Sequence, residues 1–122
     1  MIFREAFHQL ISAALGLEPY PDTVPQEASL PAAGYLLVSP VQPQRTLEGG
    51  IALQRHNWQV DIYATTRLQL DELASRLATL DGSRTSHFQW VTVLDARDAR
   101  DDGTTIKRAI VEIQTTNRRN RA

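Results

Sequence analysis

The clearest pattern in the chain is a strand followed directly by an amphipathic helix, over residues 56 to 80. Apolar positions alternate with polar ones, and the residues of the apolar face are Trp58, Val60, Ile62 and Ala64. This period of two predicts a half-buried strand. Beyond it, apolar residues recur at helical spacing, namely Leu70, Leu73, Ala74, Leu77 and Leu80. Thr66 and Gln69 form a capping box that predicts the start of this helix, and Gly82 predicts its end.

A second helix is predicted at the beginning of the chain, because apolar residues recur there at steps of three and four. Its stripe consists of Phe3, Phe7, Leu10, Ala14 and Leu17. Gly16 is expected to end it. His8 lies beside the stripe and is interpreted as a boundary residue rather than a ligand.

A proline-rich segment, residues 18 to 33, follows the first helix. Its prolines fix φ and favour extended geometry in the preceding residues, which excludes a helix. The segment also contains large apolar residues, so we expect it to lie across the domain surface, held by Tyr20 and Val24. A connector is the simpler interpretation, and a strap that binds a partner is the alternative.

Three further strands are predicted, over residues 34 to 39, 88 to 96 and 104 to 116, while the strand containing Trp58 begins near Ile51. Residues 41 to 50 predict a loop or a projecting hairpin arm. The alternation changes parity between Ile51 and Trp58. Either a bulge near His56 and Asn57 resets the register, or the strand buries one end on each face.

These elements predict an α+β domain over residues 1 to 116, with the order α-β-β-α-β-β. Two helices would pack on one face of a mainly antiparallel four-stranded sheet. Residues 117 to 122 are predicted to form a disordered basic tail.

The second face of the sheet is expected to be apolar enough to require a partner. The residues predicted to form an oligomer interface are Ile51, Leu53, Tyr63, Ile106 and Ile110. The residues predicted to contact a partner from the 41–50 loop are Gln44, Arg45, Leu47 and Glu48.

Composition narrows the possible functions. The 122 residues suit one domain, and the absence of cysteine excludes disulfides, thiolate metal sites and cysteine nucleophiles. The formal net charge of −1 gives no overall basic field, but the chain ends in three arginines, Arg118, Arg119 and Arg121, which are candidates for phosphate contacts with DNA. No stretch has the length and hydropathy of a membrane span, so we expect a soluble protein that stays in the cytoplasm where it is made.

Sequence motifs for chemistry are missing. The aspartates between 95 and 102 lack calcium-loop order, and the three histidines lack metal-ligand spacing. The glycine pair at 49 and 50 is not a phosphate loop, and no serine has a nucleophile-elbow context. Asp61 is expected to pair with Arg108 across the sheet. We therefore predict a protein without cofactor, metal or enzymatic activity.

Two stretches resemble the tail terminator and tail completion (head–tail joining) proteins of long-tailed phages. One is YPDTVPQ at residues 20 to 26, followed by Leu30-Pro31, and the other is QVDIYA at residues 59 to 64 with a helix directly behind it. The resemblance covers about residues 1 to 116 in element order. It implies an α+β subunit that forms a ring, typically a hexamer, at the junction of tail and head. Such a ring caps the tail tube, docks to the head–tail connector and lets genome DNA pass through its lumen. The resemblance brings no catalytic residues.

Two alternatives remain from the residues alone. A neck or head-completion protein of the same apparatus would share these features. A small nucleic-acid-binding regulator would use the C-terminal arginines and lose its binding if they were removed.

Overall fold

The computed structural model describes residues 3–40, 44–45, 52–99 and 106–119. Two helices and six strands follow one another along the chain: α1 (Phe3–Leu15), β1 (Tyr20–Pro21), β2 (Ala32–Pro40), β3 (Gln44–Arg45), β4 (Ala52–Ala64), α2 (Arg67–Ala78), β5 (Trp90–Ala99) and β6 (Lys107–Arg119). The predicted α+β class is confirmed, as are both predicted helices.

The sheet is mixed rather than a simple four-stranded antiparallel one. Five strands lie in the order β1-β2-β4-β6-β5, and β3 pairs with β4 beyond the end of β2. β1 runs parallel to β2, whereas the other pairs are antiparallel. The sequence prediction missed β1 and β3 because each has only two residues, too few for any periodicity. Pro21 is tolerated in β1 because this strand lies at the edge of the sheet.

β4 and β6 form the centre of the sheet and pair from Ala52↔Arg119 to Ala64↔Lys107 without a register shift. β4 therefore keeps one parity along its length, which excludes the bulge considered near His56 and Asn57 and places positions 53 and 58 on opposite faces of the sheet. The neighbouring strand β2 does shift register, between Leu37 and Ser39. β5 also contains a bulge, between Val93 and Asp95.

The C-terminal boundary differs from the predicted one. β6 continues through Asn117 to Arg119 and pairs there with residues 52 to 54 of β4. The expected start of a disordered tail at residue 117 therefore falls inside a paired strand. Arg121 lies outside the described residues.

Both helices cover the same face of the sheet. The Phe7 ring of α1 stacks on Trp58 with ring centroids 4.0 Å apart, and Trp58 Nε1 donates a hydrogen bond of 3.0 Å to Thr115 Oγ1. α2 buries Leu70, Leu73 and Leu77. Burial of this apolar layer supplies most of the stabilisation of the fold.

The helix ends follow the predicted local chemistry. The Thr66 side chain accepts a hydrogen bond from the Gln69 amide, as expected for an N-cap. Gly16 follows α1 with φ +72°, and Gly82 follows α2 with φ +79°. Such positive φ values favour glycine, which has no Cβ.

The segment of residues 16 to 31, called the connector below, lies against β2 as predicted. β1 pairs with Gly34 and Tyr35, and the Asp22 amide donates to the Tyr35 carbonyl at 2.8 Å. A Cβ built on Gly34 would lie 2.9 Å from Val24 Cγ2, so the Val24 side chain occupies the space that another residue at position 34 would need. Val24 therefore holds the connector against the sheet.

Candidate functional site

The face of the sheet opposite the helices, called the open face below, is the first candidate for a functional surface. Its centre is polar and paired rather than apolar. Arg108 Nη2 donates to Asp61 Oδ1 at 3.2 Å, and Gln59 Nε2 donates to the same oxygen at 3.2 Å. This confirms the predicted pairing of Asp61 with Arg108 and corrects the expectation of an apolar face.

A second charged cluster occupies the β5 side of the open face. Arg97 Nη1 donates to Asp95 Oδ2 at 2.7 Å and to Glu112 Oε1 at 3.3 Å. Both acceptors raise the pKa of the Arg97 guanidinium, mainly through the hydrogen bond to Asp95. The side chains of this cluster are well exposed, so each pair contributes little to stability and is available to a partner.

The predicted oligomer-interface residues are distributed around these polar clusters. Tyr63, Ile106 and Ile110 are half-buried. The Arg108 guanidinium carbon lies 5.5 Å from the centroid of the Tyr63 ring, in cation–π geometry. The backbone of Leu53 pairs with Gln44 and Arg118, whereas Ile51 lies outside the described residues. The role of these residues in an interface stays a prediction.

Large apolar side chains are exposed at other positions, which the sequence prediction did not select. Val38 and Leu94 are 55% and 50% exposed, and each lies at one of the two register shifts. Leu36, Trp90 and Leu68 are exposed as well. A bulge interrupts the regular alternation of a strand, so the two-residue period alone does not identify such positions.

The second candidate surface is an extension of the sheet, called the arm below. It consists of β3, residues 52 to 55 of β4 and residues 117 to 119 of β6, and it continues past the paired ends of β2 and β5. Gln44 and Arg45 pair with Leu53 and Ala52, which confirms the predicted hairpin geometry at this point. Leu47 and Glu48 lie outside the described residues. Arg118 and Arg119 belong to β6 and not to a free tail.

A groove with a volume of about 380 Å³ lies between α1 and β1, and its lining includes His8 and Tyr35. His8 Nε2 bonds to the Glu18 carboxylate, and His8 Nδ1 lies 2.8 Å from the Tyr35 hydroxyl. Because a carboxylate only accepts, Nε2 carries the proton, and in neutral His8 the Tyr35 hydroxyl donates to Nδ1. Burial raises the pKa of Tyr35, so its phenol stays protonated. These two hydrogen bonds of His8 join α1 to β2 and to the connector, which is consistent with the interpretation of His8 as a boundary residue.

Within the described ranges, no group of three or more His, Asp or Glu side chains is placed to hold a metal ion. Of the four clustered aspartates, Asp95 pairs with Arg97 and Asp98 pairs with Arg67. Asp101 and Asp102 lie outside the described residues. None of the described helices has the length and apolar character to span a membrane.

The fold has a counterpart among solved structures. A chain in the structure titled "Virion of native gene transfer agent (GTA) particle" superposes with a TM-score of 0.57 at 14% sequence identity, covering 89% of this chain and 84% of that chain. At this identity the similarity establishes the fold alone. Comparison with curated protein sequences finds no match.

The family is established by sequence. The family model described as "Tail completion protein gp17" matches residues 8–117, which include most of α1, all of α2 and nearly all of the sheet. This agrees with the resemblance carried by residues 20 to 26 and 59 to 64. The chain therefore belongs to the tail completion protein gp17 family, and it is a structural protein of the virion at the tail junction.

Proposed function

We propose that this protein forms a ring of six subunits that caps the tail tube, ends its polymerisation and joins the tail to the head–tail connector protein. Its partners are other copies of itself, the tail tube protein and the connector protein, with non-specific contact to genome DNA in the lumen. The role is structural and includes no catalytic step.

The observation that carries this proposal is the division of the sheet into a covered body and a projecting arm. β4 and β6 remain paired beyond the ends of β2 and β5. In the body, α1 and α2 cover one face, while the open face presents charged pairs and half-buried apolar residues. A subunit with two such surfaces is suited to contact two neighbours, as a ring requires.

The proposed ring interface uses the open face, including Tyr63, Ile106 and Ile110, together with Ile51 and Leu53. The proposed partner contacts use the arm, including Gln44 and Arg45, and the adjoining Leu47 and Glu48. Contact of Arg118, Arg119 and Arg121 with DNA phosphates would add affinity without sequence preference. The regulator alternative is less well supported, because Arg118 and Arg119 lie in a paired strand rather than in a free tail.

Tube capping tests the proposal directly. Purified protein mixed with tail tube subunits should shorten the tubes and appear at one end as a ring with a central hole in electron micrographs. Unchanged tube lengths at a stoichiometric excess of protein would contradict the terminator role. Binding to the head–tail connector protein but not to tail tubes would instead indicate a neck protein.

A matched pair of variants separates the open face from the helix layer. Ile110→Ser should reduce capping, because Ile110 lies half-buried on the open face. Leu68→Ser is the control, because Leu68 is an exposed residue of α2 on the opposite side of the sheet. Both variants should keep the circular dichroism spectrum of the wild type. Equal loss of capping in both, or in neither, would contradict the assignment of the open face.

A further inference from the structure

The arm has an unusual charge for a protein that is slightly acidic overall. Its strand segments contain Arg45, Arg55, Arg118 and Arg119 and no acidic residue. Even when residues 46 to 51 are counted by sequence, their one acid, Glu48, leaves arginines in excess. The arm is therefore the basic end of a chain whose formal net charge is −1.

The connector has the opposite charge. It contains Glu18, Asp22 and Glu27 and no basic residue, and all three acids are exposed. An exposed apolar strip lies beside it, formed by Tyr20, Leu36 and Val38. The outer edge of β2 is paired only in part, because among the described residues β1 pairs with Gly34 and Tyr35 alone. The connector and this strip together form an acidic docking surface with an apolar centre.

The arginines of the arm are too far from the acids of the connector to reach them within one molecule. The connector joins β2 at Tyr35, which pairs with Val60, whereas the arm extends on the same strand from Arg55 to Ala52. At about 3.4 Å per residue, Arg55 lies roughly 17 Å and Ala52 roughly 27 Å along β4 from Val60. Ion pairs act over about 4 Å, so the arm and the connector of one chain cannot neutralise each other.

We propose that the arm of one copy docks on the connector of the next copy, with its arginines against Glu18, Asp22 and Glu27. The apolar strip beside the acids indicates that the partner is a protein surface. A second copy fits because this chain itself supplies the complementary charge. The contact joins two different surfaces, so repeating it generates a closed ring or an open filament. The inference rests on the proposed ring and adds a specific contact between its neighbours.

Charge reversal tests this contact. The connector variant carries Thr23→Lys, Gln26→Lys and Glu27→Lys, all at exposed positions, and leaves Glu18 bonded to His8. The arm variant carries Arg45→Glu, Arg55→Glu and Arg118→Glu. Each variant alone should lose assembly at concentrations where the wild type assembles, because like charges then face each other. A control with the same change in charge, +4, places lysines at exposed positions of α2, as Leu68→Lys, Glu72→Lys and Ser75→Lys, and should assemble normally.

Mixing the two variants gives the sharpest readout. The arm variant keeps an acidic connector for the basic arm of the connector variant, and its own acidic arm matches the basic connector of that partner. Assembly should therefore return in the mixture, with the two variants alternating, so only rings with an even number of subunits can close. A single chain with both sets of changes should assemble alone. Light scattering and native mass spectrometry measure both results.

The wild type provides a measurement that needs no variant. Its assembly should weaken as salt rises, because exposed charges are screened within about 8 Å at physiological ionic strength. Assembly that is independent of salt would overturn the inference, even if an altered chain had failed to fold.

The other outcomes separate the inference from the proposed function. If the wild type caps tubes and the connector variant assembles equally well, the docking contact is wrong and the ring proposal stands. If the arm variant assembles normally, the inference is overturned, and a loss of salt-dependent DNA binding in that variant would then leave phosphate contact as the role of the arm arginines. If the wild type neither assembles nor caps tubes, the proposed function itself is overturned.

Discussion

The two faces of the sheet are made from the same strands, yet they differ in how they are stabilised. On the covered face, Trp58, Val60 and Ile62 are fully buried beneath the helices. On the open face, the intervening residues Gln59 and Asp61 are half-buried and hydrogen-bonded to each other. Alternate residues of β4 thus serve two purposes, because successive side chains point to opposite sides of a strand.

This difference indicates that stability and assembly are encoded at separate positions. Apolar burial on the covered face stabilises the subunit. The exposed ion pairs of the open face contribute little to stability, but their arrangement restricts which surface can pack against them. Substitutions on the two faces should therefore have separable effects on folding and on assembly.

Trp58→Ala should have the largest effect on stability. It removes the stack with Phe7 and the hydrogen bond to Thr115, so we expect the free energy of unfolding to fall by about 3–5 kcal/mol. Gln59→Ala is the matched control in the same strand and should change stability by about 0.5 kcal/mol or less. Urea unfolding measures both, and similar losses would mean that the two faces do not differ as described.

Gly34→Ala should have the next largest effect. The added methyl group would lie 2.9 Å from Val24 Cγ2, which forces the connector to shift at a cost of about 1–3 kcal/mol. Because Val24→Ala removes the clashing atom, the double variant should recover part of the loss. Thermal or urea unfolding of the four proteins gives the coupling, and strict additivity would show that Val24 does not limit position 34.

The pair of Asp61 and Arg108 should contribute less. Their side chains are 18% and 30% exposed, and the donor–acceptor distance is 3.2 Å. A double-mutant cycle with Asp61→Ala and Arg108→Ala should give a coupling of about 0.5–1 kcal/mol, because the charges remain partly solvated. A coupling well above this range would place the pair among the main stabilising contacts and weaken the contrast between the faces.

His56 should give the smallest effect, visible as a dependence of stability on pH. Burial lowers the pKa of His56 below its ordinary value of 6.5, with a further contribution from Arg4. As pH falls below that value, the unfolded chain takes up a proton before the folded one, so the folded state loses stability. His56→Gln should reduce this loss. Urea unfolding on both sides of the ordinary pKa measures it, and an unchanged pH dependence in the variant would exclude His56 as its source.

Much of the fold was predictable because its signals are local. The N-cap at Thr66, the glycines at 16 and 82 and the stripes of both helices depend on neighbours within one or two turns. The family resemblance also rested on short contiguous stretches, and the family model confirms it over residues 8–117.

The missed features depend on contacts between distant segments. The parity change before Trp58 left two alternatives open, and only the unshifted pairing of β4 with β6 excludes a bulge in β4. The bulge in β2 had no signal in the sequence, because the pattern of one strand does not show where its partner requires an extra residue. The polar character of the open face did have a signal. Asp61, Arg108 and Glu112 occupy positions of one parity in β4 and β6, and cross-strand pairing brings them to one face. The ion pairs that these residues form give the open face its polar character, despite the apolar residues between them.

The position of β6 has a consequence for biosynthesis. β6 is synthesised after β5, yet it lies between β4 and β5, and within the described part of the chain β5 pairs with β6 alone. During translation β5 therefore emerges before its partner, and the hydrophobic layer under α2 is incomplete until β6 arrives. The nascent subunit therefore cannot complete its sheet, or present that sheet to neighbours, before β6 has been synthesised.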